Sequence, residues 1–241
     1  MVTDWLGQPL ETLRHAVVEG LARTRIRPNV LTLCGLATSL VAALFASAGA
    51  FVSAGLLLLG AGIFDALDGA IARRTNQSSP FGAFLDSVMD RYADLTVLLG
   101  LMLHFAAAWG ERSAGGFPGI PWGNPALVFA AGAVLGSALT PYARARAESL
   151  VAECKVGIAE RPERLVILVI GLLSGRVVPA LAVLAVLANV TVLQRLFYVR
   201  RTLGGGGPLT PMEHLLYWTY PRASVPFDLL CLLVLVVILA F

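Results

Sequence analysis

Residues 64–94 read FDALDGAIARRTNQSSPFGAFLDSVMDRYAD, and the fold follows from where this stretch puts its aspartates. Asp65, Asp68, Asp86, Asp90 and Asp94 are five of the seven aspartates in a 241-residue chain that is 57% hydrophobic. Carboxylates this dense beside apolar runs of membrane length are costly, so a functional reading comes first. On a helix, Asp65 and Asp68 share one face at i, i+3, and Asp86 and Asp90 share one at i, i+4.

Working outward, a mean hydropathy of +0.78 with only 14% charged residues excludes an ordinary soluble domain. The length leaves room for roughly six spans of about 20 residues. Upstream, the uncharged stretch from Pro28 to Phe64 is slightly short for two spans, so the second must continue through Asp65 and Asp68 to Arg73. A turn is expected within Ser47–Ser53, a polar loop over Arg74–Ser79, and a helix start at Pro80. That third helix becomes wholly apolar from Leu95 to Ala108 and meets a Gly-, Pro- and Trp-rich connection over Trp109–Pro125. Further spans are expected over Ala126–Glu148, Arg161–Leu173 and Val178–Val199.

The expected fold is therefore all-α, a polytopic membrane protein with six transmembrane helices over about residues 28–201. Leu6, Leu10, Leu13, Val17 and Leu21, with polar residues between them, predict an amphipathic juxtamembrane helix over about residues 4–22. That segment lacks the basic, apolar, small-residue order of a secretory signal. Residues 1–203 form one membrane domain, and residues 204–241 a Gly-rich break and a hydrophobic tail without evident chemistry. The apolar run Phe227–Phe241 is short for a span.

Arginine placement sets the orientation. With the N-terminus inside, the clusters at 23–27, 73–74, 144–164 and 200–201 are cytoplasmic, and only Arg112 and Arg176 lie outside. The aspartates then face the cytoplasm from the cell membrane. Arginines at span ends give no reason to invoke nucleic acid. Cys34, Cys154 and Cys231 are far apart, match no metal spacing and read as packing residues.

If the two aspartate-bearing helices are antiparallel neighbours, four carboxylates converge at one depth. Uncompensated, they would repel one another and take up protons; Mg²⁺ or Mn²⁺ would compensate them and would also bind substrate phosphates. Gly69 lets a ligand approach the backbone beside Asp68, Arg73 one turn on suits a phosphate, and Gly82 gives clearance on the facing helix. This is phosphoryl-transfer apparatus, with Asp90 as the candidate base. Asp94, one turn deeper, reads as a supporting residue. Salt bridging alone is the weaker reading, because only Arg73, Arg74 and Arg91 lie near in sequence.

The pattern Asp65-x₂-Asp68-Gly69-x₂-Ala72-Arg73-x₈-Gly82-x₃-Asp86-x₃-Asp90 resembles the signature of the CDP-alcohol phosphotransferase family at every defined position. The resemblance implies transfer of a phosphatidyl-type group from a CDP-linked lipid such as CDP-diacylglycerol to an alcohol, with release of CMP. It implies that Asp65, Asp68, Asp86 and Asp90 bind two metal ions, with Asp90 also the proton acceptor. It also implies a nucleotide pocket from Asn29, Val30, Leu31 and Thr32, completed by Asp68, Gly69, Arg73, Ser79 and Gly82, and a homodimer.

The acceptor is read downstream. Arg144, Arg161, Arg164 and Arg195 gather near the cytoplasmic ends of the last three expected spans, more positive charge than a neutral alcohol needs. The runs Arg144-Ala-Arg146-Ala-Glu148 and Glu160-Arg161-Pro162-Glu163-Arg164, with Gln194-Arg195, resemble the bacterial phosphatidylinositol phosphate synthase branch. That branch implies inositol 1-phosphate as acceptor, its phosphate held at Arg144, Arg164 and Arg195. The chain departs from the branch in carrying arginine at 144 where lysine is expected, and in lacking a glycine-rich run between Glu148 and Glu160. Glycerol 3-phosphate is the rival acceptor. An intramembrane prenyltransferase would place its aspartate motifs on distant helices, and a transporter would string polar residues through the membrane midplane.

Overall fold

The computed structural model describes residues 19, 28–75, 77, 79–112, 124–207, 209–220, 222 and 224–240. The helix expected over 4–22, Arg23, Arg25 and Arg27, and the connection over 113–123 lie outside the described residues. Among the described residues there are eight helices and no strand: α1 Pro28–Ser47, α2 Phe51–Arg74, α3 Pro80–Arg112, α4 Pro125–Glu148, α5 Arg161–Leu173, α6 Val177–Leu203, α7 Pro211–Tyr217 and α8 Val225–Ala240.

Local chemistry explains the boundaries. The α1–α2 turn is three residues, with Gly49 at φ +80° as the left-handed hinge. Ser79 and Pro80 open α3 as cap and first-turn proline, and the Ser79 Oγ accepts from Gly82 N at 3.0 Å. Asn124 caps α4 in the same way, accepting from Ala126 N at 3.1 Å. One expected boundary moves: α3 continues through Trp109 to Arg112. A lone Gly110 inside a helical run lowers its stability by only about 1 kcal/mol relative to Ala and does not end it.

Among the described residues, four helices are long and apolar enough to cross a membrane: α1, α2, α4 and α6. They make this a multi-pass membrane protein. The interior combines large residues such as Leu98, Leu101, Leu172, Leu181 and Leu184 with small ones, of which Ala42, Ala46, Ala54, Ala130, Ala133 and Ala188 are fully covered. Other large residues such as Leu44, Leu56 and Leu103 face outward. Lipid gives no hydrophobic drive between helices, so small side chains that let backbones approach provide the packing. Around this interior α1 packs on α2 and α3, α2 on α5, α3 on α4, and α4 on α6.

A close backbone approach occurs at Gly100, where a Cβ would lie 2.4 Å from the Ala43 carbonyl oxygen of α1. That oxygen is backbone and cannot move aside. Gly100→Ala is therefore expected to cost about 1–3 kcal/mol by overpacking. It should lower the thermal midpoint in detergent, and an unchanged midpoint would refute the close contact.

The three cysteines are free thiols. Cys154 is buried, and burial pushes its thiol above the ordinary range, which suits the packing role read for it. Cys34 and Cys231 are exposed on the bundle instead.

The tail is ordered against the bundle. Thr210 and Glu213 form a capping box that starts α7, and Arg201 from the end of α6 binds Glu213 at 2.5 and 3.0 Å. The Thr210 N–H and Arg201 together hold the partly covered Glu213 carboxyl below its usual range. Gln194 of α6 donates to the Leu216 carbonyl at 2.7 Å, and Gly157 N donates to the Tyr217 carbonyl at 3.1 Å. The α8 helix then packs on α5 and α6.

Candidate active site

The loop between α2 and α3 is short, so Asp65 and Asp68 on α2 face Asp86 and Asp90 on α3. Asp65, Asp68 and Asp86 can each bring one carboxylate oxygen to within 4.8 Å of the others. Asp68 is 5% exposed, and its Oδ2 accepts from the Thr32 hydroxyl at 2.6 Å. The Asp86 Oδ1 is buried and has no hydrogen-bond partner among the described residues. A buried carboxylate oxygen without a donor is costly, and a hard divalent cation is what this donor set suits.

Asp90 lies beside this trio, and Arg161 governs its surroundings. The Arg161 guanidinium reaches Asp65 at 2.7 Å, Asp90 at 2.8 Å and Asp94 at 3.5 Å. Arg164 pairs with Asp94 at 3.1 Å and donates to the Ala159 carbonyl at 3.2 Å. Asp94 is thus fixed by two arginines of α5, in the supporting place read for it. The positive partners of the cluster come from α5, far downstream in the sequence, rather than from Arg73, Arg74 or Arg91.

A cavity of about 190 Å³ opens on one side of the aspartates, lined by Asn29, Thr32, Gly69, Arg73, Ser79 and Gly82, with Asp68 and Asp86 at its inner wall. A Cβ on Gly82 would come 3.1 Å from the Ser79 Oγ and 3.4 Å from the Asn29 Oδ1, so the glycine keeps these polar groups clear. Val30 and Leu31 do not line this space: Val30 is 47% exposed, and Leu31 packs in a small cluster with Ile71. On a helix only residues three or four apart share a face, so four consecutive residues cannot all point at one ligand.

On the other side a larger cavity of about 530 Å³ is lined by six arginines and four carboxylates, Asp90 among them. All four arginines read from the sequence line it. Arg144 binds Glu148 at 2.9 Å and Glu160 at 3.1 Å. Arg195 is 2% exposed; it donates to the Val156 carbonyl at 3.0 Å and to the Thr140 carbonyl, and lies 3.5 Å from Glu160. Arg222 also lines the cavity and comes from the tail, which the sequence reading left without chemistry. Its only sequence signal is a lone arginine just after the aromatic run Tyr217-Trp-Thr-Tyr-Pro and before the last apolar stretch.

Residues 25–193 match the family model described as CDP-alcohol phosphatidyltransferase. The archaetidylinositol phosphate synthase of Methanothermobacter thermautotrophicus is 36% identical over 204 residues, covering 82% of this chain and 95% of that protein. The phosphatidylinositol phosphate synthase of Cutibacterium acnes is 33% identical over 204 residues, covering 78% of this chain and 92% of that protein. Among solved structures, the phosphatidylinositol phosphate synthase of Mycobacterium tuberculosis with CDP-DAG bound superposes with a TM-score of 0.68. That match has 27% identity and covers 83% of this chain and 99% of the other. The same enzyme in complex with manganese and citrate also gives a TM-score of 0.68, at 28% identity, covering 82% of this chain and 93% of the other. The acidic motif across α2 and α3, the cavities on either side of it and these similarities place the chain in the CDP-alcohol phosphatidyltransferase family.

Proposed function

We propose that this protein is a phospholipid-synthesising enzyme that transfers a phosphatidyl group from CDP-diacylglycerol to inositol 1-phosphate, giving phosphatidylinositol phosphate and CMP. The observation that carries the reading is the position of the aspartates between two unlike cavities. Asp68 and Asp86 border the smaller one, and Asp90 borders the arginine-lined one. Donor and acceptor can therefore approach the same carboxylates from opposite sides. The names of the relatives share an inositol phosphate headgroup while the lipid differs, which supports the acceptor.

Asp65, Asp68 and Asp86 would hold Mg²⁺ or Mn²⁺, with Asp90 beside them as a further ligand for a second ion; the orphaned Asp86 oxygen and the manganese complex of the structural neighbour support this. When bound, the metal neutralises charge on the diphosphate. Asn29, Thr32, Gly69, Arg73, Ser79 and Gly82 would receive the cytidine nucleotide and its phosphates. Asp90 would accept the proton of the attacking inositol hydroxyl; the new O–P bond forms at the lipid-side phosphorus, and the bond to CMP breaks. Arg144, Arg164 and Arg195 would orient the acceptor phosphate, while Arg161 stays between Asp65, Asp90 and Asp94 and keeps Asp90 aimed at the acceptor cavity.

We place six spans across the cytoplasmic membrane, counting α3 and the 13-residue α5 with the four long apolar helices, and put the active site on the inner face. The excess of arginine at that end supports the orientation. A homodimer would follow from the family resemblance.

Purified protein with CDP-diacylglycerol and Mn²⁺ is expected to release CMP fastest with inositol 1-phosphate, when glycerol 3-phosphate, serine and inositol are offered in turn. Glycerol 3-phosphate in first place would overturn the acceptor, and no CMP with any of them would overturn the reaction.

A further inference from the structure

We infer that Arg222, delivered by the C-terminal tail, is a specificity-determining residue that binds the phosphate of the acceptor; this rests on the phosphorylated-acceptor reading above. Three guanidiniums from three separate segments converge on one carboxylate, that of Glu160. Arg144 of α4 reaches its Oε1 at 3.1 Å, Arg195 of α6 lies 3.5 Å from the same oxygen, and Arg222 reaches its Oε2 at 3.0 Å. All four residues line the large cavity.

A carboxylate held by three arginines at the wall of a cavity marks where that cavity holds an anion. The Glu160 oxygens stand in for phosphate oxygens, and a phosphate, with three acceptor oxygens and a larger charge, is the better partner for forked guanidiniums. Six arginines against four carboxylates leave the wall net positive, as an anionic guest requires.

Arg222 is free to serve this role. It is about half exposed, and it binds Glu163 at 2.8 and 3.3 Å through Nε and Nη2, with Nη2 shared to Glu160. Its Nη1 has no hydrogen-bond partner among the described residues. Glu163 fixes one edge of the fork, and a donor remains for a guest. Arg195, by contrast, is buried and gives Nε and Nη1 to two backbone carbonyls, which leaves its Nη2 edge toward Glu160 and the cavity. The tail is held for this task by the Gln194, Gly157 and Arg201 bonds described above. Arg222 lies beyond residues 25–193, the stretch that the family model matches.

The test compares full-length protein with Arg222→Ala and Arg222→Lys, using CDP-diacylglycerol, Mn²⁺ and either inositol 1-phosphate or unphosphorylated inositol. Arg222→Ala is expected to raise the KM for inositol 1-phosphate about tenfold, the effect of one charge-assisted contact. Its kcat, its KM for CDP-diacylglycerol and its rate with inositol should stay within about twofold, and Arg222→Lys should recover part of the loss. An unchanged KM for inositol 1-phosphate overturns the inference. Equal losses for both substrates with a lowered thermal midpoint also overturn it, since they mark a strap and not a contact. Wild-type protein with no preference for the phosphorylated acceptor would overturn the proposed function itself, whereas a wild-type preference untouched in Arg222→Ala overturns only this inference.

Discussion

Asp90→Asn is expected to lower kcat by about 10²–10⁴-fold, the usual contribution of a positioned general base. The change keeps the shape of the side chain and removes its ability to take a proton. Arg161, which binds Asp90 at 2.8 Å, keeps Asp65 and Asp94 as partners, so the site should hold together. Binding of CDP-diacylglycerol, measured directly with the variant, should change only a few-fold, because the nucleotide cavity is lined from α1 and the other aspartates. A variant retaining a tenth of wild-type turnover would remove Asp90 from the role of base.

Asp86→Ala should separate metal binding from stability. Its Oδ1 is a buried acceptor without a donor, beside the like charges of Asp65 and Asp68. Without metal, removing it relieves repulsion and an unsatisfied acceptor, so the variant should unfold at the wild-type temperature or above it. With Mn²⁺ at about 100 times its dissociation constant, wild-type protein should gain about 2.7 kcal/mol, and the variant should gain almost none. Turnover should fall with it. A variant stabilised by Mn²⁺ as strongly as the wild type would exclude Asp86 from the metal site.

Helix positions were largely legible because the chain changes character sharply at their ends. Ser79-Pro80 and Arg161-Pro162 sit at starts where polar residues give way to apolar ones, and the α1–α2 turn falls within the small-residue segment expected for it. Motif spacing likewise brought Asp65, Asp68 and Asp86 to one point, since fixed offsets on adjacent helices become fixed faces. Partners across the bundle were not legible in this way. Arg161 was read as an acceptor residue, and nothing near it in sequence shows that α5 packs on α2 and brings its guanidinium among the carboxylates. Val30 and Leu31 came with their motif as a block, and only helical geometry separates them from Asn29 and Thr32. Arg222 was hidden for a related reason: a Gly-rich break reads as slack, whereas Arg201 threads it, bonding the Gly207 carbonyl at 2.9 Å and Glu213 beyond.

The α8 helix has a consequence for the two ends of the chain. It starts near Arg222 beside Glu163, and its Ile238 joins the same core as Leu172 and Val177, where α5 turns into α6. Meanwhile α1 begins with Pro28 and Asn29 at the wall of the smaller cavity. The start of α1 thus borders the smaller cavity, while α8 runs from the Arg222 side of the larger cavity along α5 toward the α5–α6 turn.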